Sequence, residues 1–154
     1  MQRNGKGTLA MVMVLVGMAC LLLTIPVLAQ PRPMTDDIYT PLAFGYDEMK
    51  AGKTDAARMQ FEKVVKIDRY NPYALNNLAV LSERDGKLKE AMAYLLDAET
   101  HAEEYLEKPD ELCDIGGICM AMKPSKMKGG KSSIAPLVHG NINLLKIKIG
   151  KEKY

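Results

Sequence analysis

Residues 38–105 repeat themselves at a spacing of 34. Ile38 to Asn71 reads IYTPLAFGYDEMKAGKTDAARMQFEKVVKIDRYN, and Pro72 to Tyr105 reads PYALNNLAVLSERDGKLKEAMAYLLDAETHAEEY. In register, Phe44 meets Leu78, Gly45 meets Ala79, and Gly52-Lys53 meets Gly86-Lys87. Ala57 then meets Ala91, Phe61 meets Leu95, and Val64 meets Ala98. A unit this short cannot bury its apolar face alone, so each copy must stack on its neighbour.

Each unit reads as two helices joined at a glycine. Leu75, Leu78, Ala79 and Leu81 recur at helical spacing, followed by Ala91, Tyr94, Leu95 and Ala98. Gly52 and Gly86 suit the left-handed backbone that ends a helix. Asn71 before Pro72 is an N-cap followed by proline at the first helical position. The small residues Gly45/Ala79 and Ala57/Ala91 let the paired helices approach. The larger Phe44/Leu78 and Phe61/Leu95 are expected to fill the space between them.

These residues resemble the tetratricopeptide repeat family. The likeness covers two repeats, 38–71 and 72–105, and rests on the period and on three kinds of position. They are a small residue at the eighth (Gly45, Ala79), Ala at the twentieth (Ala57, Ala91), and Phe or Leu at the twenty-fourth (Phe61, Leu95). Pro41 stands where the family usually has an aromatic, and Glu48 and Ser82 where it usually has Tyr. The implied fold is all-α: antiparallel helix pairs in a short right-handed solenoid. The first helices of such pairs line a concave groove that holds a peptide or partner helix. Carried over, the groove comprises Tyr39, Leu42, Tyr46, Met49 and Lys50 from the first repeat. Tyr73, Asn76, Val80, Glu83 and Arg84 come from the second. Internal packing of these residues is the competing expectation.

Two repeats leave one face of the second pair uncovered, since about three are usually needed. Residues 106–122 are expected to cap it. Leu112 and Cys113 continue the large-small register, so PDELCDI predicts the start of a third first-helix, truncated at Gly116-Gly117. Residues 123–154 form a non-repeat tail. Lys123, Lys126, Lys128 and Lys131 among Pro, Ser and Gly read as a flexible basic linker. Leu145, Ile147 and Ile149 alternate with Lys146 and Lys148, a strand-like pattern.

The first 29 residues give an address. Arg3 and Lys6 precede an apolar run from Leu9 to Ile25, and Val27-Leu28-Ala29 supplies a small-residue cleavage site. That order is a secretory signal peptide; an uncleaved anchor through residues 9–25 is the alternative. Residues 30–37 read as a linker. Export to a bacterial periplasm or cell surface leaves Cys113 and Cys119 as the cysteines of the mature chain. In an oxidising compartment they are a candidate disulfide. Two buried thiols, or a redox or metal role, are the alternatives. Charge is divided: Asp36 to Asp114 carries 18 acids and 10 bases, whereas Ile115 to Tyr154 carries eight lysines and one acid. The basic tail is therefore read either as lying along the acidic repeats or as touching an anionic surface weakly.

Chemistry is sparse. His101 lies among helix-surface glutamates, and neither it nor His139 has metal-ligand spacing to the cysteines. Nothing marks a nucleophilic triad, a phosphate loop or a cofactor motif, so no catalytic, metal or cofactor site is expected. The sequence points to a non-enzymatic adaptor that binds a protein or peptide, not a nucleic acid. A structural protein held to the envelope by its tail or its N-terminus is the alternative.

Overall fold

A computed structural model of the chain describes residues 35–105, 111–113, 117–121 and 133–151. The expected leader, residues 1–29, and the lysine run from Lys123 to Lys131 lie outside them. The described residues are mainly helical: α1 (Asp36–Lys50), α2 (Thr54–Ile67), α3 (Pro72–Arg84), α4 (Leu88–Glu99) and α5 (Ala135–Lys151). A single 3-10 turn (Ala102–Glu104) follows α4, and a two-stranded antiparallel hairpin pairs β1 (Glu111–Cys113) with β2 (Cys119–Ala121). None of the described helices is long and apolar enough to cross a membrane.

Local sequence sets the helix ends. Gly52 and Gly86 both adopt φ 74°, the conformation that only glycine takes without strain. At the first, Lys53 N–H donates to the Glu48 carbonyl at 2.9 Å; at the second, Lys87 N–H donates to the Ser82 carbonyl at 2.8 Å. These bonds satisfy last-turn carbonyls that would otherwise be orphaned. At the start of α3, the Asn71 side chain accepts from Ala74 N–H at 3.1 Å, with Pro72 leading the first turn.

The helices then pack in chain order: α1 on α2, α2 on α3, α3 on α4, and α4 on α5. Ala57, Phe61, Val64, Ala91, Leu95 and Ala98 are all fully buried between them. The approach of α1 to α2 is closest at Gly45, where an added Cβ would stand 2.5 Å from Phe61 Cε1. The second pair accommodates Ala79 at the same place because Leu95 replaces the aromatic ring.

Three expectations are corrected. Phe44 does not fill the space between α1 and α2; it is 57% exposed, while Leu78 in the same register is 1% exposed. Leu78 lies on the helix against which the preceding unit packs, and α1 has no such unit before it among the described residues. Residues 111–113 do not begin a third helix but form β1. A helix would point positions six apart to different faces, whereas the hairpin sets Cys113 directly opposite Cys119. Finally, the alternating stretch at 145–149 is helical, within α5. Val138, Ile142 and Leu145 line its buried side, with Ile134 buried just before it, and this stripe at three- and four-residue steps prevails over the shorter alternation.

Candidate functional site

The residues expected to line a concave groove lie on α1 and α3, as the two-helix register requires, but most of them are covered. Leu42, Tyr46 and Met49 on α1 are buried, Tyr39 is half-buried, and Lys50 is exposed with its ammonium 5.8 Å from the Tyr46 ring centre. On α3 every residue from Pro72 to Glu83 is buried, and Arg84 is exposed. Tyr73, Asn76, Val80 and Glu83 therefore do not present an open surface. Strand β2 packs on α3 and α5 packs on β2, so the chain's own C-terminal part occupies this side of the second pair.

The contact is made through backbone. Cys119 and Ala121 stand two apart on β2, so their N–H and C=O groups point to the same edge. Asn77 takes Ala121 twice: its Nδ2 donates to the carbonyl and its Oδ1 accepts from the N–H, both at 2.9 Å. Asn141 on α5 takes Cys119 the same way, accepting from N–H at 2.7 Å and donating to the carbonyl at 2.6 Å. Asn76 adds a bond to the Cys119 carbonyl at 3.0 Å and accepts from Asn141 at 2.7 Å. A side-chain amide carries one acceptor and a donor group in the arrangement of a peptide unit. These asparagines thus stand in for a neighbouring strand and satisfy an edge that would be costly to bury unpaired. Nothing in the sequence marks Asn77 or Asn141 for this role, because their partner is a backbone 22 to 44 residues away.

Charge follows the same path. Lys148 of α5 pairs with the buried Glu83 carboxylate. His139 Nε2 lies 3.3 Å from Glu99 Oε1, and Ser133 Oγ donates to Glu103 at 2.9 Å. The described part of the basic tail thus lies along the acidic repeats. Cys113 and Cys119 are joined in a disulfide that closes the hairpin on its exposed side. Among the described residues no group of His, Cys, Asp or Glu is set to hold a metal ion. The raised pKa of Tyr94 comes from burial, with Glu90 and Glu62 adding to it and Arg58 opposing.

At the opposite end of the array no helix precedes α1 among the described residues. Between the first half of α1 and the last half of α2 runs a trough of about 510 Å³, walled by Pro41, Phe44 and Ile67, with Lys63 and Lys66 in its lining. Phe44 and Ile67 are 57% and 54% exposed. Comparison with protein-family models, curated proteins and solved structures finds no match to this chain.

Proposed function

We propose that this chain is a non-enzymatic protein-interaction module built on tetratricopeptide-type repeats, an adaptor that works after export to the bacterial envelope. The observation that carries this reading is the asymmetry of the helix array. One end is covered by α5, and the other exposes Phe44 and Ile67 over an apolar trough. Exposed apolar surface held on rigid helices is a common mark of a docking site. The concave face of the second pair already holds β2, so the partner engages the α1–α2 end.

A photo-crosslinking residue at position 67, in the chain within its own envelope fraction, tests this. The expected result is a discrete adduct with one other protein, lost when Phe44→Glu is added. A crosslinker at the exposed Leu96 gives no such adduct. Equal capture from both positions, or none from position 67, would overturn the proposal.

A second reading has one observation in its favour. The outer side of α5 exposes Leu144 and Ile147 beside the exposed Lys146 and Lys151, a pattern suited to an anionic membrane surface. Release of the chain from the envelope at moderate salt, with no dependence on Phe44, would favour this reading over the first.

A further inference from the structure

Resting on the interaction-module reading, we infer that the occupant of the α1–α2 trough is an amphipathic helix of another protein, flanked by carboxylates. It takes the place that the second helix of a preceding repeat would hold.

The register of the repeat identifies the place. Shifted by 34, Asp37, Thr40, Pro41 and Phe44 become Asn71, Ala74, Leu75 and Leu78. Those four are at most 2% exposed, on the helix against which α2 packs. Ile67 becomes His101, whose ring meets Tyr70 at 4.8 Å between centres. The second pair thus receives α2 and the residues just after it on the surface that the first pair leaves bare. Gln60 becomes Tyr94, which feels Arg58 and Glu62 of α2, so the seat for a helix reaches the second helix of the pair as well. The stripe from Asp37 to Phe44 runs about 10 Å along α1 at 1.5 Å per residue, room for two turns of a partner helix. A helix seated there buries its apolar stripe against Pro41, Phe44 and Ile67, the ordinary helix-in-groove mode.

Charge selects the occupant. Lys63 and Lys66 correspond to Asp97 and Thr100 in the second pair, and Asp37 to Asn71, so this seat carries two positive charges against one negative where the filled one carries a single negative. Both lysines are exposed, and the Lys63 ammonium donates to the Gln60 side-chain oxygen Oε1 at 3.2 Å. A helix with Glu or Asp beside its apolar stripe complements them. The exposed apolar stripe on this chain's own α5, Leu144 and Ile147, is flanked by Lys146, Lys148 and Lys151. Two copies joined by laying α5 in the trough would set lysine against lysine, so a second copy is a poor occupant.

The test uses the chain recovered from its own envelope fraction and a fluorescein-labelled model helix of Leu, Ala and Glu. Its length is about 16 residues, enough to hold helix in water. A counterpart with Lys for every Glu is the comparison, and binding is read by anisotropy. The Glu helix binds at least about tenfold more tightly than the Lys helix, as charge complementarity demands. Lys63→Glu with Lys66→Glu reverses that preference. Phe44→Glu, or Ile67→Glu in its place, abolishes binding of both helices with the melting temperature unchanged. Equal affinity for the two helices, or binding indifferent to Phe44→Glu, overturns the inference. So does saturation of the site by dodecanoate with no helix binding, or a dimer in sedimentation velocity that Phe44→Glu dissociates. If position 67 still crosslinks to a protein while the Glu helix fails to bind, the interaction module stands and the acidic helix falls. If both fail, both readings fall.

Discussion

The two helix pairs share a period, a glycine turn and a buried alanine on the second helix, Ala57 or Ala91, yet they live in different surroundings. α3 is buried from Pro72 to Glu83, enclosed by α2, α4 and β2. α1 has α2 on one side and an open trough beside it. The same register position is core in one copy, at Leu78, and surface in the other, at Phe44. In a repeat array, burial belongs to the neighbour as much as to the residue. The end unit therefore carries interior-type side chains, Phe44 and Ile67, on a solvent-facing surface.

The sharpest way to break this contrast is to truncate both members of the pair. Leu78→Ala leaves a cavity in the core and should lower stability by about 2–5 kcal/mol in urea unfolding. Phe44→Ala should stay within about 0.5 kcal/mol of the parent, as exposed substitutions usually do. Similar losses at the two positions would mean that the trough is filled in solution. Next in size is the internal strand. Asn141→Ala strands the Cys119 N–H and the Asn76 Oδ1, and should cost about 1–3 kcal/mol for each buried group left unpaired; hydrogen exchange at Cys119 would rise. The disulfide comes third. Replacing Cys113 and Cys119 together with Ser, six apart in sequence, should cost about 2 kcal/mol on chain-entropy grounds. Its effect should appear in the hairpin and leave α1 and α2 untouched.

A fourth substitution turns the two pairs on each other. Gly45→Ala gains helix propensity of about 1 kcal/mol but forces a contact with Phe61, an overpacking cost of about 1–3 kcal/mol. The net should be a loss of up to roughly 2 kcal/mol. In the Phe61→Leu background, which copies the Ala79/Leu95 arrangement, the same change should be neutral or stabilising. A loss of the same size in both backgrounds would show that the ring is not the obstacle. The smallest effect is alkaline. Tyr94 holds its proton more tightly folded than unfolded. Above its ordinary value near pH 10 the unfolded chain then carries fewer protons, and stability falls as pH rises through the folded value. Tyr94→Phe should flatten that slope in melts taken between about pH 9 and 11.

Much of the fold was legible because its signals are local. Gly52 and Gly86 placed the turns, Asn71-Pro72 placed the start of α3, and Ala57/Ala91 with Phe61/Leu95 marked the buried seams. The stretch from Glu111 to Ala121 was not legible. Leu112 and Cys113 fit the repeat register, and register alone could not say that Asn76, Asn77 and Asn141 would pair with an extended backbone. The tail misled for a related reason. Lys146 and Lys148 between apolar residues look like a strand face until Lys148 is given Glu83 as its partner and Leu145 a place in the core. Of the expected groove residues, Tyr73, Asn76, Val80 and Glu83 were set on the right helix, but what covers them comes from the far end of the chain.

The sequence by itself determined the units: a 34-residue period, two helices per unit, the turns and the close-packed small residues, since each depends on side chains within a few turns of one another. The tertiary structure alone decided which faces stay open. Whether a surface is free depends on which distant segment finds it first, and no local pattern records that. Here β2 packs on α3 and α5 on α4, while Phe44 and Ile67 at the α1–α2 end stay exposed.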